Sequence, residues 1–201
     1  MKKFFLIAVM AVISLSASAQ KMRHSAGSIT IQPMIGISTG YLRGEYKSGS
    51  TTIKYENDEA RTGLGIGAEA EYYTTTPWLS VSAALLYQQQ GWEMKSASAY
   101  KCDYINIPVL ANFYVAPNFA LKIGIQPAIP VSAKEKNDKI EIDVKDAMQS
   151  VTFDVPIGAS YEYSNFVFDA RYNLGIAKIN KGNGSVRNSV IQITVGYKIP
   201  L

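Results

Sequence analysis

The chain has one cysteine, Cys102, and one histidine, His24. A lone cysteine excludes an internal disulfide framework and any multi-cysteine zinc site. A lone histidine ahead of the first strand-like segment leaves the later loops without the base that a serine or cysteine nucleophile usually needs. After residue 20 no stretch long enough to cross a bilayer as a helix is apolar and uncharged, so helical spanning is excluded. Charge is also scarce, at 18% of the residues with a net value of +4. Losing Lys2 and Lys3 with a leader would bring +4 down to +2, too small a surplus to indicate nucleic acid.

The leader is the first thing present. MKKFFLIAVMAVISLSASAQ has a basic start, an apolar run from Phe4 to Ile13 and an Ala17-Ser18-Ala19 cleavage motif. This pattern predicts a secretory signal peptide over 1–19, removed from a single domain over 20–201. Without a cysteine at the cleavage site, a lipid-anchored start is not expected.

The mature part is built on a period of two. FVFDARYNL (166–174) sets Phe166, Phe168, Ala170, Tyr172 and Leu174 against Val167, Asp169, Arg171 and Asn173. Such alternation marks a two-faced strand. Eight segments carry it: 28–42, 60–74, 78–94, 103–115, 119–133, 151–163, 166–177 and 189–199. The links alternate in length. Short turns fall at 75–77, 116–118 and 164–165, whereas 43–59, 95–102, 134–150 and 178–188 are long and polar. Short turns at one end and long loops at the other are the habit of outer-membrane barrels.

Collecting the second faces fixes their sense. Leu64, Ile66, Ala68, Ala70 and Tyr72 oppose Gly65, Gly67, Glu69 and Glu71; Leu121, Ile123 and Ile125 oppose Lys122, Gly124 and Gln126. Phe153, Val155, Ile157 and Ala159 oppose Asp154, Gly158, Ser160 and Glu162. One face is apolar, as lipid requires. The other mixes carboxylates, cations and glycines, as the filled interior of a small barrel allows. The expected fold is therefore all-β: an eight-stranded antiparallel up-and-down transmembrane β-barrel with a polar, charged, filled lumen. Glu69, Glu71, Lys122, Asp154, Glu162, Asp169 and Arg171 are expected to form its charge network, since buried ions need partners. Aromatic girdles are expected from Tyr72, Trp78, Phe113, Phe119, Tyr161 and Phe166 at the turn end and from Tyr87, Trp92 and Tyr172 at the loop end. Tyr73, Tyr114 and Tyr104 are counted with them. Pro33, Pro108, Pro127, Pro130 and Pro156 fall inside these strands, where proline removes a ladder donor and calls for bulges or rims.

YINIPVLANFYV (104–115), GIQPAIP (124–130), FDVPIGASYEY (153–163), FVFDARYNLGI (166–176) and IQITVGYK (191–198) together resemble the small outer-membrane barrels of Bacteroidetes, the PorT-like group. The resemblance spans the mature chain. It implies an eight-stranded barrel in the outer membrane, some of whose relatives assist protein secretion.

The functional expectation is a non-enzymatic membrane anchor that displays loops, or an accessory to secretion or envelope integrity. Termini are expected in the periplasm and long loops outside the cell. The expected partners are outer-membrane lipid and other envelope or secretion proteins, with no nucleic acid, small-molecule substrate, cofactor or metal. A soluble periplasmic barrel of lipocalin type is the alternative, which would need an apolar lumen and a polar exterior. An outer-membrane hydrolase is a further one. Its histidine-free version would draw on Asp138, Glu141, Asp143 and Asp146, which sit among Lys134, Lys136, Lys139 and Lys145 in one long loop.

Overall fold

The computed structural model describes residues 24–48, 51–56, 59–93, 99–137, 140–181 and 184–201. The leader expected over 1–19 lies outside the described residues.

Twelve strand segments follow one another: β1 (Ile29–Ser48), β2 (Thr51–Glu56), β3 (Glu59–Tyr73), β4 (Leu79–Glu93), β5 (Ala99–Asn106), β6 (Val109–Ala116), β7 (Phe119–Asn137), β8 (Ile140–Asp143), β9 (Thr152–Tyr163), β10 (Phe166–Gly175), β11 (Gly184–Tyr197) and β12 (Ile199–Pro200). They build eight antiparallel staves. The stave order is β1, β3, β4, β5 with β6, β7, β9, β10, and β11 with β12. β11 then pairs back onto β1, with Ile37 opposite Ile193 and Arg43 opposite Arg187, so the sheet closes. Closure leaves each stave a partner on both sides, which an apolar surround demands of every spanning backbone.

Local chemistry explains the short connections. Ser164 and Asn165 both adopt positive φ, 46° and 72°, between the paired Tyr163 and Phe166. That is the two-residue hairpin whose twist matches the flanking strands, and asparagine tolerates it well. After β3, the Thr74 hydroxyl donates to Leu79 O at 2.6 Å and ties the 74–79 turn together.

Three features depart from the sequence expectation. The polar links 43–59 and 134–150 are not plain loops: β1 runs on to Ser48 and pairs with β2, and β7 runs on to Asn137 and pairs with β8. The ladder continues beyond the apolar belt because a strand pair in water needs no apolar face. The stave expected over 103–115 breaks between β5 and β6 at Ile107-Pro108. Pro108 has no N–H to give; its carbonyl instead accepts from Ala84 N at 3.0 Å. Finally, the β7–β9 ladder lapses between Ile123–Ile157 and Gln126–Asp154, beside Pro156. Pro130 sits where the β5–β7 register shifts between Asp103 and Tyr104.

The exterior of the staves is apolar. Ile35, Leu64, Ile66, Leu85, Ile123, Ile157, Phe168 and Ile193 all stand exposed, while Gln32, Gln88, Asn112, Gln126, Asp169 and Gln192 are buried inside. In β10 the outward set is Phe166, Phe168 and Ala170; the inward set is Val167, Asp169, Arg171 and Asn173. A lipocalin-type barrel has the opposite polarity.

Candidate functional site

The lumen is the chemically distinctive region, and its centre is a closed quartet of charges. Glu69 on β3, Lys122 on β7, and Asp169 and Arg171 on β10 meet there. Arg171 Nη2 donates to Glu69 Oε2 at 2.6 Å and to Asp169 Oδ2 at 2.9 Å, with Nε 2.7 Å from Asp169 Oδ1. Lys122 Nζ lies 2.9 Å from both Glu69 Oε1 and Asp169 Oδ2. Two cations and two carboxylates on three non-adjacent staves thus neutralise one another, all four essentially without solvent exposure. Gly158, the β9 partner of Arg171, makes the space: a Cβ there would stand 2.9 Å from Arg171 Cγ and 2.3 Å from Ala170 O.

A second cluster fills the turn end. Lys198 Nζ lies 2.9 Å from Glu71 Oε2 and 3.2 Å from Glu162 Oε2, and donates to the Tyr73 hydroxyl at 2.8 Å. Glu71 Oε1 also accepts from the Ser80 hydroxyl, from Asn112 Nδ2 at 3.2 Å and from the Tyr114 hydroxyl at 2.7 Å. His24 closes this end: its Nε2 is 3.1 Å from both Glu162 oxygens, and its ring lies over Tyr73 with centroids 4.7 Å apart.

The seven charged residues singled out in the sequence therefore divide. Four form the central quartet, and Glu71 and Glu162 belong to the turn-end cluster. Asp154 stands apart from every cation of either group and accepts from Gln126 Nε2 at 3.0 Å. The residues missed are Lys198, His24, Tyr73 and Tyr114. Alternation carried the signal: Lys198 continues the face of Gln192, Thr194 and Gly196, and Tyr73 that of Glu69 and Glu71. Tyr73, Tyr114 and Tyr104 are corrections to the girdle, because all three are buried inside. The Tyr73 and Tyr114 hydroxyls bond within the polar turn-end cluster, whereas Tyr104 packs into the apolar group at the loop end, so aromatic character alone does not decide the side.

Outside, the turn end carries exposed Tyr72, Trp78, Tyr161 and Phe166, with half-buried Phe113 and Phe119. Trp78 stacks on Phe113 at 6.0 Å, and Phe166 meets Tyr197 edge-on at 5.2 Å. Tyr87 and Tyr172 face outward nearer the loop end. The side chain of Trp92 lies outside the described residues.

The loop end is closed by apolar packing. Met148 and Ile179, from two different loops, reach down to Leu42, Cys102, Tyr104, Ala128, Ala133 and Val186. Backbone bonds join the two loops: Gln149 N donates to Ile179 O at 2.9 Å and Lys181 N to Ala147 O at 3.0 Å. Among the described residues no group of histidine, cysteine and carboxylate side chains could hold a metal. Of the four loop carboxylates, Asp143 and Asp146 are exposed. Asp138 and the Glu141 side chain lie outside the described residues.

This architecture recurs in known structures. The attachment invasion locus protein Ail of Yersinia pestis is similar with a TM-score of 0.51 and 16% identity, over 87% of this chain and 100% of that one. Neisserial surface protein A is similar with a TM-score of 0.53 and 17% identity, over 85% and 97%. At such identities the likeness is one of fold. No curated protein matches the chain. The outer membrane protein beta-barrel domain does match, over residues 18–181, so a closed barrel with an apolar wall and a charged lumen has its family: the chain belongs to the outer membrane β-barrel proteins.

Proposed function

We propose that this outer-membrane barrel is a non-enzymatic scaffold of the PorT-like kind. It holds its long loops at the cell surface and serves as an accessory to secretion or envelope integrity. Its leader is removed after Ala19, its termini face the periplasm and its long loops face outward. The observation that carries this reading is the blocked lumen. A neutral quartet crosses the centre, His24 and Lys198 fill the turn end, and Met148 and Ile179 cover the loop end. A barrel so filled suits anchoring rather than passage, since an eight-stranded interior is only wide enough for its own side chains. The sole histidine supports the non-enzymatic part, because its Nε2 is engaged with Glu162 at the end opposite the long loops.

Two measurements test the proposal. Tags inserted at 44–59 or 134–150 are expected to be labelled on intact cells, and tags at 75–77 or 116–118 only after the outer membrane is opened. The opposite labelling pattern inverts the topology. Purified protein in liposomes is expected to release no entrapped sugar; release above that of protein-free liposomes defeats the scaffold reading.

A further inference from the structure

Asp154 is the lumen carboxylate that no side-chain cation answers. Glu69 and Asp169 touch Lys122 and Arg171, and Glu71 and Glu162 touch Lys198. Among the described residues Asp154 meets neither lysine nor arginine; Gln126 Nε2 donates to its Oδ2 at 3.0 Å. Yet it is only 7% exposed. A buried ion without a counter-charge is costly, and one hydrogen bond from a neutral amide does not supply that charge.

The residues around it offer oxygens. Gln126 lies directly opposite Asp154 across β7 and β9. On β10, Asn173 faces Pro156 and so stands diagonal to Asp154; on β5, Asn106 faces Ala128 and stands diagonal to Gln126. Direct and diagonal cross-strand neighbours on one face are within side-chain reach. Tyr104, the next inward residue of β5, feels the Asp154 charge. All four are at most 2% exposed.

Each of the three amides spends its N–H group elsewhere. Asn106 Nδ2 donates to Gln88 Oε1, Asn173 Nδ2 to Gln192 Oε1 at 3.2 Å, and Gln126 Nε2 to Asp154 itself. Asn106 Oδ1, Gln126 Oε1, Asn173 Oδ1 and the Tyr104 hydroxyl are left buried without a partner among the described residues. Water can donate to such oxygens but brings no charge to set against Asp154. Carboxylate and amide oxygens are hard donors, the ligands that hard cations take. A single carboxylate also sets the valence. A monovalent ion makes the group neutral, as the quartet is neutral, whereas a divalent ion would leave a positive charge buried.

We propose that Asp154, with the amide oxygens of Asn106, Gln126 and Asn173 and the Tyr104 hydroxyl, binds a monovalent alkali-metal cation between the quartet and the loop-end lid. The site uses interior residues alone and holds whichever end of the barrel faces outward.

Urea titrations of the detergent-purified protein at mildly alkaline pH, in sodium chloride or in choline chloride of equal ionic strength, test it. In the wild type the unfolding constant is expected to fall about tenfold for each tenfold rise in sodium above its dissociation constant, and to stay put in choline. Asp154→Asn should abolish the sodium response and, in choline, be more stable than the wild type, because it removes the unanswered charge. A carboxylate that served only as an acceptor for Gln126 would give no such gain. Tyr104→Phe removes an oxygen that bonds nothing else, so its stability in choline should match the wild type while its sodium affinity falls severalfold. Asp146→Asn, in an exposed loop, should keep the full response. Broadening of the sodium NMR line by the wild type and not by Asp154→Asn reads binding directly. A sodium response shared by Asp154→Asn, or matched by choline, overturns the site. So does a wild type that broadens the line no more than the variant. Stronger stabilisation by calcium than by sodium at equal ionic strength overturns the monovalent assignment, and unchanged affinity in Tyr104→Phe removes the hydroxyl from the ligand set.

Discussion

Arg171 and Glu69 stand 102 residues apart in sequence and 2.6 Å apart in the lumen, joined through Arg171 Nη2 and Glu69 Oε2. Asp169 and Lys122 complete the set, so removing any one member leaves a buried charge uncompensated. Breaking a buried pair costs about 3–5 kcal/mol, much more than a well-placed pair contributes against apolar replacements. Arg171→Leu is therefore expected to lower unfolding stability in detergent by about that amount. Phe168→Leu, on the exposed outer face of the same strand, is expected to cost less than about 1.5 kcal/mol. Urea titrations of both variants in one detergent make the comparison. Equal losses would remove the quartet as a determinant of stability.

Lys198 offers a cleaner cycle, because one ammonium serves two carboxylates, Glu71 and Glu162. Lys198→Met is expected to destabilise the barrel by about 3 kcal/mol or more. Adding Glu71→Gln should recover part of that loss, since the amide keeps an acceptor for the Tyr114 hydroxyl without the charge. A coupling of about 0.5–3 kcal/mol is expected for groups in one network. Strict additivity would show that Lys198 holds the cluster through Glu162 and His24 alone.

Gly158 leads to a steric test of the same centre. A methyl group there would press on Ala170 O and on the Cα and Cγ of Arg171, all closer than 3.0 Å. Gly158→Ala is expected to shift the β9–β10 register or displace Arg171 from Asp169. Reduced heat-modifiable migration or a lower urea midpoint would reveal this. Gly65, whose nearest neighbour is the flexible Gln88 side chain at 3.2 Å, with the nearest backbone atom, Tyr87 O, at an ordinary 3.7 Å, should tolerate alanine better.

How far these relationships could be read from the sequence depends on their range. The two-faced character of FVFDARYNL is local, and alternation assigns Asp169 and Arg171 to one side without any tertiary information. The same parity places Lys198 with Gln192 and Tyr73 with Glu71, yet aromatic residues beside a turn fit a girdle equally well. What was not legible is height. Whether Asp154 or Glu69 reaches Arg171 depends on the stagger between staves, and that stagger is set by register, bulges and the break at Pro108, not by any single strand. In sequence, β2 and β8 look like loop because a strand pair standing in water carries no apolar face to mark it. The lid was hidden for a related reason: Met148 and Ile179 are single apolar residues in polar stretches, and only the closed barrel gives them a hole to fill.

That lid supplies the last test, with Cys102 as its reporter. Cys102 is fully buried, and its Sγ lies 4.0 Å from Met148 Sδ beneath the two joined loops. A reagent must displace the lid to reach the thiol, so labelling in the folded protein is expected to be slow. Truncating Met148 and Ile179 to alanine removes the apolar contact that holds both loops down. Core truncations of this kind cost about 2–5 kcal/mol each. A loss of even about 1.4 kcal/mol in lid closure corresponds to a tenfold change in the open fraction. Cys102 in the double variant should therefore react at least about tenfold faster with a maleimide, while the urea midpoint moves little, because the quartet lies deeper in the lumen. Fast labelling of the wild type would show that the lid is not closed in solution. A large fall in the midpoint with unchanged labelling would place Met148 and Ile179 among the residues that hold the barrel itself.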